Sequence, residues 1–358
     1  MELISEHNGG QEFYDFIDRS IIGGICAVFQ PRATASDGET IMSWDFNSLY
    51  PYILSGRVPV GCYRKVELSQ EEFLDIVEHW KEDDSTGYGF EVDIHVPDHL
   101  HDKLDFAPFA RMCSDPSTLS AKQQDTIKLL NSSMGDRLAP YLGDQSCVGQ
   151  VIPVLQVFLK LGIEIRVVRA WSMRMEYVYR PIAQRLYEAR LQATDEVEKD
   201  NLKLPSNSGL FGKTVENKGT RKNAVFLLDH DKWANTVNRP GGSGYWLCEE
   251  GEPFLGIGER PRTRPVVLDT ARQLGWWALS AAKARMYAAW CFTIKPYYSL
   301  KDRTWILQYG DSDSLYVLVG STTPEADMAE MNAGGVLFDN QLLGCLKDEG
   351  AAIAAKLS

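Results

Sequence analysis

The sequence has no uninterrupted apolar run long enough to cross a bilayer, so its hydropathy pattern argues against a membrane-spanning helix. Its first residues carry neither a basic segment nor the apolar core of a secretory signal. We therefore expect a soluble protein of the cytoplasm, a virion or a host nucleus, not a secreted one. Internal repeats and low-complexity segments are absent as well, so we infer the boundaries of helices and strands from turn-forming residues.

Closely spaced cysteines are also missing. Each of the seven lies more than twenty residues from the next, so no CxxC pair exists to begin a zinc site, and we expect free thiols. Aromatic residues, in contrast, are plentiful. Nine Trp, 15 Tyr and 14 Phe among 358 residues, with 44% apolar positions, exclude a disordered or fibrous chain. The length suits one large or two modest globular domains.

Positive charge is scarce when it is averaged over the chain. The formal net charge of -12 argues at first against nucleic-acid binding, which depends largely on Lys and Arg. Between Lys199 and Lys222, however, six basic residues face only two acidic ones. We therefore expect any cationic surface to be local and any DNA binding through it to be sensitive to salt.

Hydrophobic patterns predict a mixture of strands and helices. Three stretches read as strands: 40–54, where the strand stops at Pro51 and a helix can follow, 87–97, and a hairpin over 305–319 that turns at 310–312. Three have helical spacing: 151–162, 180–204, which Pro205 should end or kink, and 268–290, which should be buried. Because no regular βαβ rhythm appears, we predict an α+β domain with a helical insertion.

Three aspartates are candidates for a metal site. Asp311 and Asp313 flank Ser312 in the predicted hairpin, and alternate residues of an extended chain point to the same side. Asp45 adjoins another strand. Carboxylates on strands suit Mg²⁺, and two such ions about 3.5–4 Å apart can stabilise the attacking and leaving oxygens of a displacement at phosphorus. Asp311 also has a simpler explanation as an ordinary hairpin-turn residue, since Asp is common in turns. Asp45 and Asp313 adjoin strongly apolar strands, where a carboxylate without a cation is costly.

Three motifs carry a family resemblance. Residues 45–51, DFNSLYP, resemble motif A of the family B DNA polymerases, and residues 309–314, YGDSDS, resemble their motif C. Lys203, Asn207 and Ser208 match the spacing of motif B. Further segments are similar to the protein-primed branch, especially adenovirus-like and Polinton-like polymerases: 22–24, 87–93, 198–200 and 211–217. The resemblance covers residues 15–350, nearly the whole chain.

The resemblance implies a fold and an activity. The fold would be a polymerase palm, an antiparallel sheet packed on helices, with helical fingers and an inserted subdomain. The activity would be transfer of dNTPs to a primer hydroxyl in replication of a viral or mobile-element genome. Four regions are expected: 1–54 with motif A and the first part of the palm, 55–155 as a terminal-protein-region-like insert, 156–230 as fingers, and 231–358 as the second part of the palm.

The resemblance also implies roles for individual residues. Asp45 and Asp313 would be the main ligands of two Mg²⁺ ions, which Mn²⁺ can replace, with Asp311 and the Phe46 carbonyl in support. Nucleotide contacts would come from the turn after motif A and from the fingers: Ser48, Leu49, Tyr50, Arg190, Lys199, Lys203 and Asn207. Tyr50 would be a steric gate against ribose. DNA contacts would come from Gly23, Gly24, Phe211, Gly212, Lys213, Lys218, Arg221 and Lys222.

Simpler interpretations of these residues stay open at this point. A strand-end Tyr50 is also an ordinary core aromatic. Lys199 and Lys203 lie one helical turn apart and can neutralise phosphate charge, but a solvated helix face explains Arg190 equally well. The four basic residues after Gly212 also suit an ordinary charged loop.

The sequence departs from the family pattern in three places. Only 44 residues precede Asp45, so we expect no 3′–5′ exonuclease domain, and only 45 follow Asp313, so we expect no Lys-x-Tyr box or thumb. Motif B carries one extra residue after Ser208, so its helix must adapt.

The family resemblance and the departures from it also indicate partners and rival functions. Expected partners are template-primer DNA, dNTPs, a terminal protein, and a separate thumb or exonuclease subunit, without a membrane. The rivals are an incomplete or inactive DNA-binding subunit, an RNA-making polymerase and a two-metal nuclease.

Overall fold

The computed structural model describes residues 1–5, 9–112, 120–129, 137–216, 218, 223–246, 255–260 and 269–350. Two compact units result, one made of Met1–Val215 with Ala271–Ser358 and the other of Glu216–Thr270. Helices and antiparallel sheets are mixed in the described chain, which confirms the predicted α+β class. The four predicted regions divide the chain differently from these units and remain a prediction.

A five-stranded antiparallel sheet in the first unit carries motifs A and C. Its strands, in spatial order, are β1 (Cys26–Val28), β12 (Trp305–Asp311), β13 (Ser314–Val319), β2 (Thr40–Phe46) and β14 (Leu346–Asp348). The predicted hairpin is therefore confirmed, but Asp311 pairs with Ser314, so its turn lies at residues 312 and 313. Ser312 has a φ of 56°, the positive value that a tight hairpin turn needs at its first central residue.

A second antiparallel sheet contains four strands, ordered β3 (Val58–Val66), β8 (Glu164–Glu176), β4 (Thr86–His95) and β7 (Gln145–Val151). Helices α3 (Gln70–His79) and α5 (Ile152–Lys160) pack on it. The strand predicted over 87–97 and the helix predicted over 151–162 are thus confirmed as β4 and α5. Shorter elements complete this region: a 3₁₀ turn at Asp98–Leu100, β5 (Phe109–Met112), α4 (Ala121–Leu129) and β6 (Arg137–Pro140).

The long helix α10 (Arg272–Ala289) lies at the centre of the first unit. It contacts both α1 (Gly10–Ser20) and α2 (Leu49–Ser55), together with α5 and β3. Trp276 is completely buried and meets Phe16 edge to face, with ring centroids 5.4 Å apart. The apolar pattern correctly predicted a buried helix. A π-helix, α11, α12 and a 3₁₀ turn follow at Trp290–Ile294, Lys295–Leu300, Pro324–Met331 and Asn332–Gly334.

The single helix predicted over 180–204 is wrong, because two helices occupy this stretch: α6 (Arg180–Gln192) and α7 (Glu196–Leu204). Asp195 interrupts the helix, since its extended backbone lets the carboxylate accept the Glu198 N–H at 2.7 Å as an N-cap. As predicted, α7 ends before Pro205. A π-helix over Pro205–Gly212 follows, and its wider turn accommodates the extra motif B residue before α8 (Lys213–Val215).

The second unit is small. Its three-stranded antiparallel sheet is ordered β10 (Ser243–Trp246), β11 (Gly256–Arg260) and β9 (Asn223–Leu227), and α9 (His230–Val237) packs on it. Trp233 of α9 donates its indole N–H to the Ile257 carbonyl at 3.2 Å, which ties the helix to the central strand.

Two further expectations concern single features of the chain. The cysteines in the described residues are free thiols, as predicted: Cys26, Cys62, Cys147, Cys291 and Cys345. Cys113 and Cys248 lie outside the described residues. Among the helices of the described ranges, none is long and apolar enough to span a membrane.

Candidate metal and nucleotide site

The five-stranded sheet brings Asp45, near the end of β2, next to Asp313, which lies in the turn between β12 and β13. Asp45 of β2 pairs with Ser314 of β13, and the Phe46 N–H donates to the Asp313 carbonyl at 2.9 Å. Burial and then the charge of Asp45 raise the pKa of Asp313 to about 7. Burial also raises the pKa of Asp45, against the opposing charge of Lys347. Two partly buried carboxylates therefore repel each other at the end of the sheet.

Asp311 lies beside this pair in a different environment. It is the last residue of β12 and is exposed. Its charge raises the pKa of Asp313 less than burial and Asp45 do. In the described ranges, no three His, Cys, Asp or Glu side chains form a group that could hold a metal ion. The structure thus brings two of the three predicted carboxylates together as a pair and leaves Asp311 at its edge.

A divalent cation fits the Asp45–Asp313 pair. The raised pKa of Asp313 means that its ionised form is unfavourable unless positive charge lies nearby. Mg²⁺ usually takes only one or two protein carboxylates and fills its other positions with water and phosphate oxygens. Asp45, Asp313 and the backbone of the adjacent Phe46 are the groups of this chain that would hold it.

Lys347 is a site residue that the sequence analysis missed. Its Nζ lies 3.1 Å from Asp45 Oδ2 and 2.6 Å from Glu349 Oε1. Burial lowers the pKa of Lys347, but the bond to Glu349 and the charge of Asp45 outweigh this effect and raise it. The register of β14 on β2 places Lys347 opposite Asp45. No local motif marks this residue, and only the pairing of two distant strands could have identified it.

The chain leaves β2 through a sharp turn at Asn47 and Ser48. The Asn47 side-chain amide donates to the Asp339 carbonyl at 2.8 Å, and its N–H donates to the Cys345 carbonyl at 2.8 Å. Ser48 adopts a φ of 49°, an uncommon value for a residue with a side chain. Arg190 of α6 supports this residue, since its Nη1 donates to Ser48 Oγ at 3.0 Å.

The prediction that this strand continues to Pro51 is therefore wrong. β2 ends at Phe46 and α2 begins at Leu49, so Pro51 lies in the first turn of a helix. Proline is tolerated there because its missing N–H would have no intrahelical acceptor. For the same reason, the amides of Leu49 and Tyr50 have no intrahelical acceptor.

Tyr50 forms an aromatic wall beside the carboxylates. Its ring stacks on Phe211 of the π-helix, with centroids 4.1 Å apart and parallel planes. Burial and then the charge of Asp313 raise the pKa of Tyr50 to about 12, while a hydrogen bond with Ser312 opposes the shift. The motif A tyrosine is thus in contact with motif B and with the turn of motif C.

The predicted nucleotide contacts of the fingers lie on three neighbouring elements. The positive charge of Lys203 on α7 opposes the rise in the pKa of both Asp45 and Asp313, but its effect is smaller than that of burial. Lys199 lies one turn earlier on α7, and Arg190 lies near the end of α6. Asn207 belongs to the π-helix Pro205–Gly212.

Gly24 packs against the motif C turn. A Cβ at this position would lie 2.9 Å from Ser312 Cβ and 3.0 Å from Ser312 Cα, whereas a Cβ on Gly23 would meet nothing within 4 Å. The Ile25 carbonyl also accepts the Ser312 N–H at 2.5 Å. The segment before β1 therefore supports the turn that carries Asp313, a role that the sequence analysis did not assign to it.

The remaining predicted DNA contacts lie further along the chain. Gly212 ends the π-helix, and Lys213 is an exposed residue at the start of α8. Lys218 belongs to the second unit, where its ammonium group pairs with Asp269. Arg221 and Lys222 lie outside the described residues.

Comparison with known proteins identifies the family. The model of the family "DNA polymerase type B, organellar and viral" matches residues 8–239. The chain belongs to this family. No curated protein sequence shows a significant match to it.

Solved structures of Phi29 DNA polymerase share the fold of this chain. An orthorhombic crystal form has 14% identity and a TM-score of 0.55, covering 96% of this chain and 48% of that one. A binary complex with primer-template DNA has 16% identity and a TM-score of 0.52, covering 96% and 48%. A ternary complex with DNA and incoming nucleotides has 15% identity and a TM-score of 0.51, covering 95% of this chain and 47% of that one. The chain spans about half the length of these polymerases.

Gly23 and Gly24 give a matched test of the turn. Gly24→Ala should lower the free energy of unfolding by about 1–3 kcal/mol, because its methyl group would overlap Ser312. Gly23→Ala should cause no loss. Urea unfolding followed by circular dichroism measures both variants. Equal stability of the two variants would show that Gly24 does not support the turn.

The carboxylate pair should make the stability of the metal-free protein depend on pH. The pKa of Asp313 is about 7 when folded, against an ordinary value of 3.8, so the folded state binds this proton more tightly. The contribution of Asp313 to the free energy of unfolding should therefore fall as pH rises from about 4 to about 7. Urea unfolding in EDTA across this range should show Asp313→Asn gaining stability relative to wild type as pH rises. A constant difference between the two proteins would contradict the assignment.

Proposed function

We propose that this chain forms the palm and fingers of a protein-primed DNA polymerase that transfers dNTPs to a primer hydroxyl. The observation that carries the proposal is the pairing of β2 with β13, which sets Asp45 beside the turn that contains Asp313, while the charge of Lys203 opposes the rise in the pKa of both carboxyls. Membership of the type B family supports it, as does the fold shared with Phi29 DNA polymerase. Similarity to adenovirus-like and Polinton-like polymerases adds the protein-primed branch to the proposal.

The carboxylates would bind the metal ions of the reaction. When bound, two Mg²⁺ ions supply charge stabilisation to the attacking and leaving oxygens at the α-phosphorus. Asp45 and Asp313 hold the ions, the Phe46 carbonyl adds an oxygen, and Asp311 lies at the edge of the pair. A cation held by Asp45 would compete with Lys347, whose Nζ lies 3.1 Å from Asp45 Oδ2.

The fingers and the turn after motif A would bind the dNTP. Lys203, Lys199 and Arg190 neutralise the negative charge of the triphosphate, and Asn207 contacts the nascent base pair. The first-turn amides at Ser48, Leu49 and Tyr50 donate to phosphate oxygens. The Tyr50 ring, held by Phe211, lies under the sugar and occupies the space of a 2′-hydroxyl.

The DNA contacts would be independent of sequence. Phe211 packs beside the nascent base pair, Gly212 allows a close approach of the primer-template, and Gly23 and Gly24 add DNA contacts. The basic residues that follow motif B contact its phosphates: Lys213, Lys218, Arg221 and Lys222. The attacking hydroxyl comes from a DNA primer or from a side chain of a terminal protein.

Replacing the carboxylates tests the proposal most simply. Asp45→Asn and Asp313→Asn should each reduce primer extension by at least about a thousandfold, because loss of one metal-binding carboxylate removes several kcal/mol of transition-state stabilisation. Asp302→Asn is the matched control, since Asp302 is an exposed turn residue outside the site. The assay is run with and without a partner that supplies a thumb or exonuclease. Extension that survives both site variants would contradict the proposal, whereas extension only in the mixture would identify an incomplete subunit.

The steric gate gives a second prediction. Tyr50→Val removes the ring beside Asp313 and should raise ribonucleotide incorporation relative to deoxyribonucleotide incorporation by about tenfold or more. Tyr50→Phe keeps the ring and its stack on Phe211, so it should retain the wild-type preference. Competitive primer extension with paired rNTP and dNTP measures the ratio. An unchanged ratio in Tyr50→Val would remove Tyr50 from sugar selection and leave an RNA-making enzyme as the better interpretation.

A further inference from the structure

A second cationic site lies away from the Asp45–Asp313 pair. A cavity of about 360 Å³ opens between the carboxyl end of α2, the start of β3, α5 and α10, all within the first unit. Four basic side chains line it: Arg57, Lys160, Arg180 and Arg285. Neither Asp45, Asp313, Lys203 nor Tyr50 borders it. We propose that this cavity binds the phosphate groups of a nucleotide-sized ligand.

The charges in this cavity are not neutralised by carboxylates. Across the described part of the chain, none of the four basic groups forms an ion pair with an Asp or Glu. Glu82 and Asp83 also border the cavity, but both are exposed, and Asp83 accepts a hydrogen bond from Tyr177 at 2.5 Å. In a protein with a net charge of -12, this concentration of unpaired positive charge favours an anionic ligand.

Aromatic rings and backbone carbonyls hold the guanidinium groups in place. Arg57 and Arg180 both contact the Tyr177 ring, at 4.7 and 3.7 Å from its centroid. Arg57 donates to the Met175 carbonyl at 3.0 Å and Arg180 to the Ser55 carbonyl at 3.1 Å. Lys160 lies 4.1 Å from the centre of Phe292. Cations fixed in this way are pre-organised, which reduces the entropy lost when an anion binds.

One of the four basic residues has a buried nitrogen without a hydrogen-bond acceptor within the described ranges. Arg57 Nε is buried and has no hydrogen-bond partner among the described residues. Guanidinium groups such as those of Arg57 and Arg180 form strong, often bidentate hydrogen bonds with phosphate oxygens. The volume is at the lower end of the range for small-molecule sites, which suits a triphosphate or one nucleotide.

The test is binding of phosphate ligands to the full chain in EDTA, which removes metal-dependent binding at the carboxylate pair. Isothermal titration uses three probes: inorganic tripolyphosphate, dATP and an oligo(dT) strand. The double variant Lys160→Gln with Arg180→Gln should weaken binding by at least about tenfold, because charge-assisted hydrogen bonds are lost. Arg64→Gln is the matched control, since Arg64 is exposed on β3 and does not line the cavity.

The outcomes show whether the phosphate belongs to a free nucleotide or to a DNA strand, and they test this proposal separately from the polymerase proposal. If the double variant loses binding of tripolyphosphate and dATP, the ligand is a free nucleotide. If it loses binding of oligo(dT) alone, the ligand is the phosphates of a DNA strand. Binding should persist in Asp45→Asn, so failure of the polymerase proposal would leave this one intact. Lys160→Arg with Arg180→Lys keeps the charges and should restore binding. The proposal is overturned if no probe binds, or if the double variant binds all three as tightly as Arg64→Gln does.

Discussion

Repulsion between two partly buried carboxylates, Asp45 and Asp313, is the interaction on which the rest of the site depends. The antiparallel register of β2 and β13, with the hydrogen bond from the Phe46 N–H to the Asp313 carbonyl, keeps the backbones of the two residues close together. Positive charge has to compensate for this arrangement. Lys347 contacts Asp45 directly, and the charge of Lys203 acts on both groups. In the proposed site, a divalent cation would add positive charge beside both carboxylates.

Packing around the pair keeps its geometry. Gly24 lies against Ser312, and Tyr50, which stacks on Phe211, hydrogen-bonds with the same serine, so two distant segments hold the turn that contains Asp313. Asn47 anchors the other side through the Asp339 carbonyl. Substitutions in this shell would therefore act on the carboxylates through position and not through charge. The hydrogen bond from Arg190 to Ser48 Oγ helps to hold Ser48 in its uncommon backbone conformation.

Local patterns predicted much of this structure. The α+β class, the hairpin over 305–319 and the buried helix α10 follow from apolar periodicity, which dominates where a face is buried. Two predicted element boundaries were wrong, because apolar periodicity does not record helix caps or side-chain hydrogen bonds. Asp195 caps a new helix inside 180–204, and the bonds of Asn47 end β2 before Pro51. Motifs identified Asp45 and Asp313, but Lys347 and the support from Gly24 depend on contacts between distant segments, which no single local pattern records.

The most direct measurement is anomalous X-ray scattering from crystals of the full chain grown with Mn²⁺ and a non-hydrolysable dNTP. The account predicts a manganese peak within coordination distance of the Asp45 and Asp313 carboxylates, with Lys347 Nζ displaced from Asp45. Asp313→Asn crystals, grown in the same way, should lose that peak. Bound nucleotide with no manganese at these two carboxylates, or manganese held by other residues, would contradict the account.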